Sequence, residues 1–243
     1  LSRIKVETKD IKKKRIFYTA LYHCLVAPNL YQDVDGRYRG MDLKVHKGDL
    51  NNPRYTVFSL WDTYRAAHPL YQLVYPDYNR KFILTFLGQY KEAGRLPVWE
   101  LAGNETFCMI GNHSIPVIAD ALLQSPQSYT SKEKQDLIEA IEATLFKNEF
   151  CSQSIFRTGY ISSDQAGESV SKTIENSLDY AAYEKLVEQF GNKDQKDSLI
   201  YYSSYYKNIF NELTGHFQAK QNQMFISPFN PREVNHHYTE ANA

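Results

Sequence analysis

"NRKFILTFLGQYKEAG", residues 79–94, is the stretch that decides the fold. Apolar side chains recur in it at helical spacing, as in Ile83, Phe86 and Leu87, so one face of a helix would be buried. Gly94 follows the last turn, at a position where helices commonly end. The pattern predicts a helix over residues 79–93.

The same periodicity occurs on both sides of this helix. Residues 31–58 differ, because glycines separate short alternations there, which predicts a loop that carries a hairpin. Since helices with short connections pack as antiparallel pairs, the sequence predicts an all-α fold, part of a helical toroid built from helical hairpins, with a small β-hairpin insertion. The other predicted helices cover residues 10–27, 61–73, about 170–191 and 193–211. Two more are predicted, one capped by Ser114 and one that begins with a Thr130–Glu133 capping box.

Composition excludes some partners and favours others. With 28 basic and 28 acidic residues the net charge is zero, so there is no electrostatic reason to expect nucleic acid or an anionic membrane. No apolar run approaches the ~18 residues of a membrane span. The three cysteines lie far apart and predict no zinc site, and no metal ligand is assigned within the chain. An aromatic content of 14% suits sugar binding, but it equally suits cores and protein interfaces.

Two tryptophan-containing stretches are candidates for ligand binding. Trp61, Asp62 and Arg65 stand where a strand-like run meets a helix, so the aspartate and arginine could bind sugar hydroxyls while the indole stacks on the ring. Asp62 and Arg65 could equally form a surface pair in a first helical turn, which leaves both interpretations open. The second stretch, "LPVWELAGNET" at residues 96–106, places Trp99, Glu100, Asn104 and Glu105 in a loop with the same two interpretations. His113 is predicted to be a hydrogen-bonded residue at a helix entry.

Several long motifs resemble glycoside hydrolase family 92, whose members are calcium-dependent, exo-acting α-mannosidases that invert the anomeric configuration. The motifs are "IFYTALYH" at 16–23, "DGRYRG" at 35–40, "FSLWDTYRAAHPL" at 58–70, "GRLPVWELAGNETFCMIGNHS" at 94–114, "SVSKTIE" at 169–175 and "YTEANA" at 238–243. The resemblance implies that residues 1–243 form the first half of an (α/α)6 catalytic barrel. It also implies that an N-terminal β-sandwich and the C-terminal part of the barrel are missing.

Site residues follow from the resemblance, position by position. Glu240 would be the general acid and Asp62 a mannose-binding residue. The remaining members of the pocket would be Trp61 and Arg65, with Trp99, Glu100, Asn104 and Glu105 in it or next to it. A general acid needs a raised pKa, which would come from burial among aromatic side chains. The general base and most ligands of Ca²⁺ are expected outside this chain, which alone would be inactive.

The resulting hypothesis is a hydrolase, an exo-α-mannosidase acting on mannose-containing glycans together with the remaining segments of the same enzyme. By resemblance it would be periplasmic, secreted or surface-held in a bacterium. Two alternatives stay open: a non-catalytic carbohydrate-binding helical module, and a helical scaffold or interaction domain.

Overall fold

The computed structural model describes residues 1–147, 154–191 and 193–240. These residues are mostly helical, which confirms that part of the prediction. They divide into two compact units, Leu1–Phe107 and Cys108–Ala243, which are described in turn. Residues 241–243, the end of the "YTEANA" motif, lie outside the described residues.

The first unit has its helices near the predicted positions, but the predicted 10–27 helix ends at His23 and the predicted 61–73 helix is divided. The predicted 61–73 helix is interrupted near Ala66, whose backbone leaves the helical conformation (φ −137°, ψ −47°). The second part packs against the next helix, so that His68 and Tyr71 contact the ring of Phe82. The helices are α1 (Ile11–His23), α2 (Leu60–Thr63), α3 (Ala67–Val74) and α4 (Pro76–Ala93). As predicted, α4 ends at Gly94, which adopts the left-handed conformation (φ 75°).

Short strands connect these helices and form three small antiparallel sheets. They are β1 (Asn29–Leu30), β2 (Arg37–Arg39), β3 (Val45–Lys47), β4 (Tyr55–Thr56), β5 (Phe58–Ser59), β6 (Trp99–Leu101) and β7 (Asn104–Glu105). The pairing of β2 with β3 confirms the predicted hairpin. In addition, β1 pairs with β4, and β5, β6 and β7 form a three-stranded sheet in that order.

Aromatic side chains fill the core of this unit. Phe58 is buried and contacts the rings of Phe82 and Phe86 edge-on, at centroid distances of 5.8 and 4.8 Å. Tyr55 contacts Phe82 in the same way at 4.9 Å. Much of the aromatic content of this unit therefore belongs to an ordinary core, as one of the two interpretations of the composition allowed.

The second unit is built around a long central helix. Its helices are α5 (Ser114–Gln124), α6 (Ser131–Glu142), α7 (Ser154–Thr158), α8 (Ser169–Phe190) and α9 (Lys193–Ser203). α8 packs against both α5 and α9. Two hairpins follow, β8 (Phe210–Asn211) with β9 (His216–Phe217) and β10 (Lys220–Gln221) with β11 (Met224–Phe225).

Most helix ends in this unit were predicted correctly. The Thr130–Glu133 capping box is present, and α8 ends at Gly191. The prediction that Ser114 caps α5 was wrong, because His113 occupies the N-cap position and Ser114 is already helical. The final helix is shorter than predicted, since the chain continues from α9 into a 3₁₀ turn at Tyr205–Ile209 and then into strand. Of the described helices, none combines the length and the apolar character needed to cross a bilayer.

His113 links α5 to α8 through buried charge. Its Nδ1 lies 3.1 Å from Asp179 Oδ1 and its Nε2 lies 3.2 Å from Glu175 Oε2. The backbone N–H of Asn112 donates to the other Asp179 oxygen at 2.6 Å. Burial by itself would lower the pKa of His113, but the Asp179 and Glu175 carboxylates together raise it to about 9. The predicted role as a hydrogen-bonded helix-entry residue is confirmed.

The His113 ion pairs should make stability depend on pH. A histidine whose pKa is raised from 6.5 to about 9 contributes stability that is fully present below pH 6.5 and is lost as the pH rises through about 9. We expect His113→Gln to lower the Tm of the intact protein most near pH 6 and progressively less toward pH 10. The measurement is the difference in Tm between the two proteins across that range. A difference independent of pH would show that His113 is not charged in the folded state.

Candidate functional site

Pairing of β5 with β6 brings the two tryptophan-containing stretches together. Ser59 lies opposite Trp99, and Phe58 lies opposite Glu100. Because α2 begins directly after β5, Trp61 and Asp62 follow within one helical turn of this pairing. The structure therefore places both predicted stretches at one edge of the first unit.

Two aromatic and two charged side chains at this edge are accessible to a ligand. Asp62 is exposed, and one of its carboxylate oxygens accepts a hydrogen bond from the Ser59 hydroxyl. Arg65 is also exposed, with its guanidinium 4.7 Å from the centroid of the Tyr64 ring. Trp61 and Trp99 are half-buried. Each tryptophan thus keeps part of its surface exposed, which is what stacking on a sugar ring requires.

Glu100 is fully buried, and its carboxylate serves the fold. It accepts hydrogen bonds from the Thr56 hydroxyl, at 2.9 and 3.1 Å, and from the backbone N–H of Gly103 at 2.6 Å. Burial raises its pKa, although hydrogen bonds from Gly103, Thr56 and Val57 oppose that shift. That Glu100 lines the pocket stays a prediction. Its contacts indicate that it supports the backbone around the candidate site.

Glu105 holds the backbone on both sides of Trp99. Its carboxylate accepts from the N–H groups of Val98, Trp99 and Phe107 at 2.7 to 2.9 Å. The carbonyl of Trp99 in turn accepts from the N–H and hydroxyl of Thr106. The backbone of Trp99 is therefore held by hydrogen bonds at both its N–H and its carbonyl.

A tight turn at Leu101–Asn104 connects β6 to β7 and is docked on the β1–β2 region. Asn104 is exposed, and its amide donates within the turn to Leu101 and Ala102. The carbonyl of Ala102 accepts from the Tyr31 hydroxyl at 3.0 Å and from the Arg39 guanidinium at 2.9 Å. Sequence reasoning missed both partners, although Arg39 lies in the quoted "DGRYRG" motif and could have been found there.

Glu240 lies in the second unit, at the end of the described residues. Its side chain is exposed and its backbone is left-handed (φ 52°). The predicted burial of Glu240 among aromatic side chains is not found in the described chain. Convergence of Asp62 and Glu240 on one pocket, like every individual site assignment, stays a prediction.

Most ligands of Ca²⁺ were expected outside this chain, and calcium binding is not confirmed. Across residues 1–147, 154–191 and 193–240, no group of three or more His, Cys, Asp and Glu side chains is arranged to hold a metal ion. These residues therefore do not fit a calcium site by themselves, and no chemical step is assigned to the ion below.

Comparison with known proteins identifies relatives over the whole chain. A family model described as "Glycosyl hydrolase family 92 catalytic domain" matches residues 1–243. A GH92 α-mannosidase from Bacteroides thetaiotaomicron has a TM-score of 0.92 and 31% identity, over 98% of this chain and 32% of that one. Its complex with mannoimidazole gives 0.85 and 32%, over 90% and 29%.

A second enzyme of that organism, described as an inverting GH92 mannosidase, gives a TM-score of 0.88 and 25% identity, over 99% of this chain and 34% of that one. The chain thus spans about a third of the length of these solved relatives. The search of curated proteins returned no significant match.

Two glycines with similar backbones, Gly103 and Gly94, allow a test of whether the Leu101–Asn104 turn is docked. Gly103 has φ +72°, and a Cβ there would lie 2.8 Å from the Arg39 carbonyl oxygen. Gly94 has nearly the same backbone (φ +75°), but nothing lies within 4 Å of its Cβ position. We expect Gly103→Ala to lower the Tm clearly more than Gly94→Ala, which carries only the left-handed strain of about 1 kcal/mol. Equal losses would mean that the turn is not docked.

Proposed function

The chain belongs to glycosyl hydrolase family 92, and on that premise we propose that it forms part of the (α/α)6 catalytic barrel of an inverting, calcium-dependent exo-α-mannosidase. The observation that carries the proposal is the family match over all 243 residues, together with the β5–β6 pairing of two motifs singled out from sequence. It is supported by similarity to two mannosidases, one solved with mannoimidazole and one described as inverting.

We assign mannose binding to the edge formed by α2, β5 and β6. The exposed Asp62 carboxylate, oriented by Ser59, would accept hydrogen bonds from sugar hydroxyls, and Arg65 would donate to them. Trp61 and Trp99 would provide the surfaces on which the sugar ring packs, with Asn104 close by in the hairpin. Glu100 and Glu105 would act indirectly, by holding in place the backbone that carries these groups.

Glu240 is assigned the role of general acid. In an inverting glycosidase a carboxylic acid protonates the leaving oxygen, while a carboxylate about 6.5–9.5 Å away activates a water on the opposite face of the sugar. Only the acid is assigned here, and the base is expected in the rest of the enzyme. The proton of Glu240 would pass to the glycosidic oxygen as the bond to the anomeric carbon breaks.

Calcium dependence, partners and location are further parts of the proposal. A Ca²⁺ ion prefers oxygen ligands and could bind two mannose hydroxyls, with protein ligands outside this chain. The partners would be mannose-containing glycans and the remaining segments of the same enzyme. The location would be periplasmic, secreted or at the cell surface.

The assignment of Glu240 is tested by Glu240→Gln in the intact protein. On an unactivated α-mannose disaccharide we expect kcat to fall about 10²- to 10⁴-fold, because general acid catalysis is lost. An aryl mannoside with a good leaving group, which needs no proton, should lose much less. The matched control is Glu212→Gln, an exposed glutamate between β8 and β9. Wild-type activity of Glu240→Gln on the disaccharide would refute the assignment.

Substrate binding is tested by Asp62→Asn. Replacing a charged acceptor by a neutral one should lower kcat/KM on both substrates by about 10- to 100-fold, since a hydrogen bond to a charged group contributes about 1.5–3 kcal/mol. If binding to mannose persisted in a protein without hydrolytic activity, the carbohydrate-binding module would be the better interpretation.

Metal dependence is tested by removing divalent ions from the intact protein. We expect EDTA to abolish mannosidase activity and added Ca²⁺ to restore it, with Mg²⁺ as the control because its smaller octahedral site differs from that of Ca²⁺. Full activity after exhaustive chelation, with calcium shown to be absent by elemental analysis, would contradict this part of the proposal.

A further inference from the structure

The segment that leads to Glu240 is bound to the beginning of α8. The backbone N–H of Glu168 donates to the His236 carbonyl at 2.6 Å, and that of Val170 donates to the His237 carbonyl at 3.1 Å. The first N–H groups of a helix have no partner within the helix, so they must find one elsewhere. At the N-terminal end of α8, the His236 and His237 carbonyls accept from two of these N–H groups, so the segment is bound to this end of the helix.

Two side-chain contacts fix the residue immediately before Glu240. The Thr239 hydroxyl donates to Glu168 Oε1 at 2.8 Å, and the Thr239 N–H donates to the Ser171 hydroxyl at 2.9 Å. Thr239 is buried, with 8% of its surface exposed. Both hydrogen-bond donors of Thr239, its N–H and its hydroxyl, are therefore bound at the start of α8. Thr239 is the residue directly before Glu240.

Glu168 is itself held in place. Its backbone is left-handed (φ 56°), where a non-glycine residue is uncommon, and it sits at the N-cap of α8. Its second carboxylate oxygen lies 3.5 Å from Lys172 Nζ, one helical turn further on. The same ammonium donates to the Gly167 carbonyl at 2.9 Å. The Glu168 carboxylate thus has a second partner, Lys172, besides the Thr239 hydroxyl.

We propose that Glu168 and Thr239 form a clamp that positions the carboxyl group of Glu240 for proton donation. The inference rests on the proposed role of Glu240 as general acid. Glu168 is a positioning residue that acts through Thr239, and it exchanges no proton with the substrate. Placement matters because a general acid must come within about 2.6–3.2 Å of the leaving oxygen, and an error of about 1 Å can lower the rate about 100-fold.

A clamp of this kind makes a prediction that a merely structural contact does not. If the clamp only stabilised the fold, its loss would lower activity equally on every substrate. If it positions the acid, its loss should affect only substrates whose leaving group needs a proton. The comparison of two substrates within one variant therefore separates the two roles.

The experiment uses the intact protein with Glu168→Ala and Thr239→Val. We expect kcat to fall about 10- to 100-fold on an unactivated α-mannose disaccharide, with little change on 2,4-dinitrophenyl α-mannoside. Glu168→Gln keeps an acceptor oxygen and Thr239→Ser keeps the hydroxyl, so both should recover most of the activity. The double variant should be no worse than either single one, because both remove the same contact.

Hydrogen–deuterium exchange of the peptide that covers residues 235–240 supplies a readout independent of activity. It should be faster in Glu168→Ala and Thr239→Val than in wild type and in Glu212→Gln. Equal loss on both substrates would refute the positioning role, and unchanged exchange would refute the clamp itself. Wild-type protein inactive on both mannosides, with exchange responding as expected, would instead overturn the mannosidase function and the positioning role while the clamp remained.

Discussion

The buried carboxylate of Glu100 is the constraint on which the candidate site depends. It accepts hydrogen bonds from the Thr56 hydroxyl and from the backbone N–H groups of Gly103 and Val57. Val57 has φ +68°, which is rare for a β-branched residue. At this residue the chain changes partner, since β4 pairs with β1 and β5 pairs with β6. The carboxylate thus stabilises the local geometry in which β5 pairs with β6 directly before α2 begins.

The helical part of the fold could be predicted from the sequence because it is encoded locally. Periodic apolar residues, the Thr130 capping box and the glycines at 94 and 191 each act within a few residues of their own position. The break near Ala66 has a local cause that the apolar periodicity alone does not show. Pro69 has no N–H to donate to the Arg65 carbonyl, so it fits the first turn of a new helix, α3, better than the interior of one helix over residues 61–73.

The sequence singles out candidate residues for the site, but it does not show how each side chain is placed. Asp62 and Glu100 look alike in the sequence, as carboxylates next to tryptophans. Whether a carboxylate faces solvent or the interior depends on strand pairing between positions about 40 residues apart, which no local pattern reveals. The same holds for Thr239, because its partner Glu168 is 71 residues away. Long-range contacts separate the groups that can meet a ligand from those that hold them.

Gly103 has a consequence for how this protein can diverge. Its missing side chain leaves just enough room for the Arg39 carbonyl, and the neighbouring Ala102 carbonyl receives both Tyr31 and Arg39. A lineage that replaced this glycine would have to rebuild the 31–39 stretch at the same time. Two segments more than sixty residues apart in the chain should therefore be inherited together. Grafting either one alone into a homologue would transfer a loop without the surface on which it packs.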